Sequence, residues 1–169
     1  MITPEYCQVM AQYGAWQNRQ IFDALDGQPL KVLTEDRGAF FKSILGTLNH
    51  LYWGDQIWMS RFDPSVEAPK VSTPDSPDIF PTLGAWSAAR FHLDGKIQHW
   101  ANALRALDLT GELQWFYRGG QRDMTQPLAV CVTHMFNHQT HHRGQIHAML
   151  TAAGFNAPVS DLALMPEEG

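Results

Sequence analysis

The 169-residue chain holds eight histidines, and four of them, His134, His138, His141 and His142, fall within a run of nine residues. On a helix, imidazoles four residues apart rise along one face and can offer two nitrogens to a single metal ion. His134, His138 and His142 have that spacing. A helical wheel separates them. With His134 at zero, Cys131, Leu128, Met135, Ile146, Met149 and Leu150 cover an apolar arc of about 60–160°, at about 100° per residue. His142 falls at about 80°, inside the arc, and His138 at about 40°, at its edge. His134 and His141 fall near 0° and about −20°, towards solvent, and His147 at about 220°, past the opposite edge. The inward pair is His138 and His142.

Two imidazoles hold a cation poorly, and catalytic zinc-type sites use about three protein ligands with one position left open. The third ligand must come from another helix. His50 is the one histidine of the second helical segment, on a side shared with Gly46, Trp53, Gly54 and Ile57. His92 and His99 lie off the apolar seam of the third segment and read as surface residues. Taken singly, an interior histidine is more often a hydrogen-bonded core residue, and the whole group could be a solvated, metal-affine patch. Three buried neutral imidazoles, however, bring three donors and three acceptors to satisfy, and a shared cation removes the acceptor half of that problem.

Other residues carry weaker expectations. Asp55 could be a further ligand, an acceptor for an imidazole N–H, or a partner of Arg90. Trp16, Trp53, Trp58 and Trp86 read as core. Arg143, near 180° on the wheel, is expected to make a salt bridge or carbonyl contacts. Cys131, on the apolar arc, reads as buried and inert. The sequence has no Gly-rich phosphate loop, nucleophile elbow or CxxC.

The elements that must position these side chains are helical. A first helix is expected over about 3–25, where Tyr6, Met10, Tyr13, Ile21 and Leu25 form one stripe before Gly27 and Pro29 stop it. A second is expected over about 37–62; its polar residues Lys42, Asn49, Gln56 and Ser60 share a narrow arc, so neighbours surround the rest. Residues 63–81, with five prolines, read as a long connection without periodicity. A third helix is expected over about 82–108, with a heptad seam from Leu83 to Leu107 in which Arg90 alone is out of character. Residues 111–124 alternate around Gly119-Gly120 as a short β-hairpin. Thr125 is expected to cap the fourth helix, with Pro127 in its first turn and Gly154 at its end. The tail, 155–169, is short and contains proline. These elements make an all-α four-helix bundle, one domain over 1–169. The connection after the second helix can reach about 60 Å at about 3.3 Å per residue, enough to run the bundle's length and leave helices two and three parallel.

Composition excludes several classes. The net charge of −5 supplies no basic surface for a phosphate backbone, so no nucleic acid is expected as partner. The first residues lack the charged and apolar regions of a signal peptide, and no run approaches about 18 apolar residues, so no membrane is expected either. Two cysteines in a chain of this size fit a reducing compartment, and a cytoplasmic location is the expectation.

The segment His138-Gln-Thr-His-His142-Arg143-Gly144-Gln145 resembles the NHxxxHRGQ signature of the DinB/YfiT family of four-helix-bundle metalloenzymes. Tyr13-Gly-Ala-Trp16-Gln-Asn18 is similar to that family's first-helix pattern, and Leu48-Asn49-His50-Leu51 with Asp55 and Trp58 to its second-helix element. The tract 116–128 resembles the paired segment before its last helix. The resemblance spans essentially the whole chain. It implies His50, His138 and His142 as ligands of one divalent ion, zinc or nickel, and relatives that include thiol-dependent S-transferases using glutathione, mycothiol or bacillithiol, and a maleylpyruvate isomerase. It also implies a homodimer. The family often carries an acidic residue four after its first histidine; here Gly54 stands there, with Asp55 one later.

A three-histidine cation with an open position would make bound water acidic, with a pKa near about 7, and would deprotonate a bound thiol. The expected function is a metal-dependent transferase that activates a low-molecular-weight thiol against a small electrophile. The alternatives are a hydrolase using metal-bound hydroxide and a non-catalytic metal or ligand carrier. A di-iron carrier is disfavoured, because no Asp or Glu lies between Thr125 and Gly154 to bridge two irons.

Overall fold

The computed structural model describes residues 2–167. Helix α1 (Pro4–Leu25) begins where Thr3 accepts a hydrogen bond from the Tyr6 amide, with proline in the first turn. A single turn, α2 (Leu30–Thr34), follows, which the periodicity did not reveal. The other long helices are α3 (Ile44–Phe62), α4 (Leu83–Ala103) and α5 (Leu128–Ala152). Strands β1 (Glu112–Tyr117) and β2 (Arg122–Pro127) pair antiparallel before α5, with Trp115 opposite Met124.

The buried side chains fall into two apolar clusters. One joins Cys7 and Ala11 of α1, Met59 of α3, Leu93, Ile97 and Trp100 of α4, and Val132, Met135 and Phe136 of α5. The other joins Ile21 and Leu25 of α1, Ile44, Leu45, Leu48 and Leu51 of α3, Leu83 and Trp86 of α4, and Ile146, Met149 and Leu150 of α5. Like ends of α1 and α5 therefore share a cluster, as do like ends of α3 and α4, and the two pairs run in opposite directions. Helices α3 and α4 are parallel, as the long connection allows. Each fully buried Leu, Ile, Met or Phe contributes roughly 1.5–3 kcal/mol. Between the clusters lies a polar layer made by Asn18, Asp55, Arg90, Asp94, Gln139 and Arg143, one or two residues from each long helix.

The crossover is fastened to the polar strip of α3. Gln56 donates to the Glu67 carbonyl, Trp53 to Val71, and Asn49 to both Pro77 and Phe80. The chain thus runs back along α3 from its end to its start. Asn49, expected on an exposed arc, is fully buried beneath the segment it binds. Part of the crossover, Thr73–Asp78, is a 3₁₀ turn rather than irregular chain.

Three boundaries differ from the sequence reading. Helix α3 starts at Ile44 rather than near 37, because Ser43 accepts from the Gly46 amide and Lys42 takes a left-handed φ of 63° that no helix continues. Helix α4 ends at Ala103, and Leu107, placed on its seam, is 74% exposed. There Arg105 and Asp108 close a separate turn with side-chain and backbone bonds. Thr125 does not cap α5: it pairs with Gln114 inside the hairpin, and Pro127 precedes the helix instead of sitting in its first turn. Gly154, at φ 78°, lies just beyond the end of α5 as expected.

Candidate metal centre

His50 on α3 and His138 and His142 on α5 meet at the α3–α5 seam. One ligand nitrogen of each lies within 4.8 Å of the others, so the three could hold a metal ion. His138 Nε2 and His142 Nε2 are 3.0 Å apart. Two nitrogens sharing a tetrahedral zinc stand about 3.3 Å apart, given Zn–N bonds of about 2.0–2.1 Å.

Hydrogen bonds set which nitrogen is available. His50 Nδ1 is 2.8 Å from Ser76 Oγ, and that hydroxyl donates its one hydrogen to the Thr73 carbonyl at 2.6 Å. The hydroxyl must therefore accept from His50 Nδ1–H, which leaves the Nε2 lone pair free. His142 Nδ1 is likewise 2.8 Å from Gln145 Oε1, an acceptor, so its Nε2 also carries a lone pair. His138 has a single proton in its neutral form and no partner at Nδ1. With the proton on Nδ1, two Nε2 lone pairs face each other; with it on Nε2, the buried Nδ1 lone pair is orphaned. A cation between the nitrogens removes the facing lone pairs of the first case, while the buried Nδ1 lacks a partner in either, so this donor set can accept a divalent ion.

The rings are neutral at ordinary pH. Burial, then the neighbouring His142, pushes His50 down to about 3. Burial, then His142 and His50, does the same to His138, also to about 3. Burial lowers His142 too, against the Gln145 hydrogen bond. Neutral imidazole is the form that binds metal.

Aromatic side chains wall the centre. Phe41, carried by the turn before α3, stacks on His50 at 3.7 Å, and Trp53 lies on it at 5.8 Å. On the other flank, Trp58 meets exposed His134 at 5.0 Å and Trp115 of the hairpin at 5.5 Å. Trp53 is therefore a half-buried wall of the site, Trp58 is half-buried and packs against the apolar cluster of Met59 and Phe136, and Trp16 is half-buried as well. Trp86 alone of the four is core, and it donates to the Leu48 carbonyl. The spacing held no sign of Phe41 or Ser76, since both lie outside the long helices. Gln145 was visible as part of the C-terminal motif.

Gly54 explains how α5 approaches. A Cβ there would stand 2.5 Å from His138 Cε1 and 2.9 Å from Nδ1, so the absent side chain is the space the ring occupies. Asp55, one residue on, faces the polar layer. It accepts from Arg90 at 2.7 Å and from Gln139 at 3.1 Å, and it is not a member of the histidine cluster. Of its three expected roles, the Arg90 partnership is the one realised. Burial lifts its carboxyl above the ordinary value, against the pull of Arg90 and Gln139. Arg143 differs from expectation: it is buried over the Tyr13 ring at 5.1 Å, and its two terminal nitrogens have no hydrogen-bond partner. Cys131 is buried, which raises its thiol pKa as an inert role requires. His134 and His141 are exposed, as are His92 and His99.

Residues 1–168 match the model of the DinB family. The chain is 24% identical over 167 residues to Protein DinB of Bacillus subtilis (strain 168), covering 90% of this chain and 89% of that one. A crystal structure of a DinB-like protein from Bacillus cereus ATCC 10987 superposes with a TM-score of 0.64 at 16% identity, over 85% of this chain and 90% of that one. That likeness concerns the fold. No helix among the described residues is long and apolar enough to cross a membrane.

Proposed function

The chain belongs to the DinB family, and from that membership and the histidine geometry we propose that it is a metal-dependent enzyme with one three-histidine site. His50, His138 and His142 would hold a divalent cation, zinc or nickel, and for His50 and His142 the hydrogen bonds at Nδ1 leave the ligand nitrogen unprotonated. The observation that carries this reading is the convergence of those nitrogens in a buried site with no acidic partner among them. Three protein ligands leave a position for a guest.

The reaction proposed is transfer of a low-molecular-weight thiol to a small electrophile. A bound divalent cation supplies the Lewis acidity that makes a thiol a nucleophile at neutral pH. The sulfur then bonds to the electrophilic carbon, the leaving group departs with its electron pair, and the thiol proton passes to solvent. Phe41 and Trp53 restrict water around the reacting atoms and present flat apolar surface to the electrophile. The partner is thus a small molecule, and a second copy of the chain is the proposed assembly, read by sedimentation.

The test uses tag-free protein loaded with zinc or nickel, with glutathione and 1-chloro-2,4-dinitrobenzene as probes and a panel of other thiols and electrophiles beside them. Consumption of an electrophile should require both metal and thiol and should vanish in His138→Ala. Turnover without thiol would replace transfer by hydrolysis. Wild-type protein that takes up no divalent metal would remove the enzymatic reading altogether.

A further inference from the structure

We infer that Ser76 is a positioning residue of the metal centre, and that the crossover segment is thereby part of that centre; this rests on the metal reading above. Ser76 lies 26 residues beyond His50, in the crossover, and is fully buried. Its hydroxyl is saturated in one sense only, donating to Thr73 and accepting from His50 Nδ1. That polarity selects one tautomer of His50, the one with a free Nε2. Without the hydroxyl, Nδ1–H would be a buried donor lacking a partner, and the proton would move to Nε2, where it blocks the ligand lone pair. Phe41, stacked on the ring, prevents His50 from swinging away to find another acceptor.

The hydroxyl is held by the whole crossover. Asn49, adjacent to His50, donates to Pro77 and Phe80 on either side of the turn's end. Gly46, one turn earlier, lets the turn that carries Phe41 come close, since a Cβ there would stand 2.7 Å from the Phe41 carbonyl, while Pro77 would be in ordinary contact at 3.5 Å. Asn49 holds the segment in place, whereas Ser76 fixes the proton. The two roles can be separated by experiment.

Long-range proton–nitrogen spectra of the metal-free wild type should show His50 protonated at Nδ1. Ser76→Ala should shift His50 towards the Nε2–H tautomer and weaken zinc binding, measured by chelator competition, by roughly 10–100-fold. Asn49→Ala should loosen the crossover yet keep the tautomer. An Nε2–H form in the wild type would overturn the inference, and so would Ser76→Ala binding zinc as the wild type does. So would equal losses of affinity in the two variants with the tautomer unchanged. If Ser76→Ala does not fold, the wild-type spectrum decides alone. Wild type that binds no zinc overturns the metal reading instead, while its spectrum still tests the Ser76 contact.

Discussion

Two polar assemblies are buried back to back on the α3–α5 seam, one residue out of step with each other. Gly54, His138 and His142 belong to the candidate metal centre; Asp55, Gln139 and Arg143, each the next residue, belong to the layer between the apolar clusters. Both are costly to bury, but they offset that cost differently. The layer carries its own counter-charges, with Arg90 bonded to Asp55 at 2.7 Å and to Asp94 at 2.8 Å. The histidines carry no charge to balance. The Nδ1 protons of His50 and His142 go to Ser76 and Gln145, and one ligand nitrogen of each of the three histidines lies within 4.8 Å of the others. The layer is held by ion pairs of its own, although the Arg143 terminal nitrogens have no hydrogen-bond partner in it. The centre brings three neutral imidazoles together and could hold a cation.

The comparison breaks most readily at the layer. Asp55→Ala takes from the buried Arg90 one of its two carboxylates, leaving Asp94 alone, and removing one partner of a buried pair costs about 3–5 kcal/mol. Denaturant unfolding should show that loss equally with zinc and with a chelator present. A loss that appeared only in the zinc-loaded protein would place Asp55 in the metal centre.

Zinc itself should act only on the histidines. At a free concentration of about 100 times its Kd, a ligand specific for the folded state stabilises by about 2.7 kcal/mol. The wild-type melting temperature should rise with zinc and fall back with chelator, and His138→Ala should not respond.

Acid should separate the two assemblies as well. His50 and His138 are held to about 3, against an ordinary 6.5. Between those values the unfolded chain binds protons that the folded chain refuses, so their contribution is whole above pH 6.5 and drains as pH falls towards 3. Each such group adds at most about 1.4 kcal/mol per pH unit to the slope. Metal-free His138→Ala should therefore lose stability less steeply than the wild type as pH falls below 6.5. Equal slopes would mean that His138 is protonated in the folded state.

Much of this was legible in the sequence because it depends on local period. The inward pair His138 and His142, the long helices, the hairpin and the parallel run of α3 and α4 follow from spacing, turn residues and the length of residues 63–81. His50 followed from its being the one histidine on its helix and from the family pattern. What escaped depends on contacts between distant stretches of chain: Ser76 across 26 residues, Phe41 on a turn closed by the left-handed Lys42, and Asn49 buried by a segment with no periodicity. Helix ends were misjudged where a side chain, Ser43 or the Arg105–Asp108 pair, redirected the backbone.

The finest separation of the two assemblies is Gly54→Ala. Alanine in a helix is favoured over glycine by about 0.5–1 kcal/mol, and overpacking costs from about 1 kcal/mol upward, so the two nearly cancel. The added methyl would stand 2.5 Å from His138 Cε1, and the imidazole, as the end of a side chain, is what must move. Asp55 stays in the polar layer, bonded to Arg90. Global stability without metal should thus change little, while the zinc-induced rise in melting temperature should shrink or vanish. A variant with wild-type zinc response would mean that His138 can bind from a second ring position and that Gly54 is there for helix packing alone.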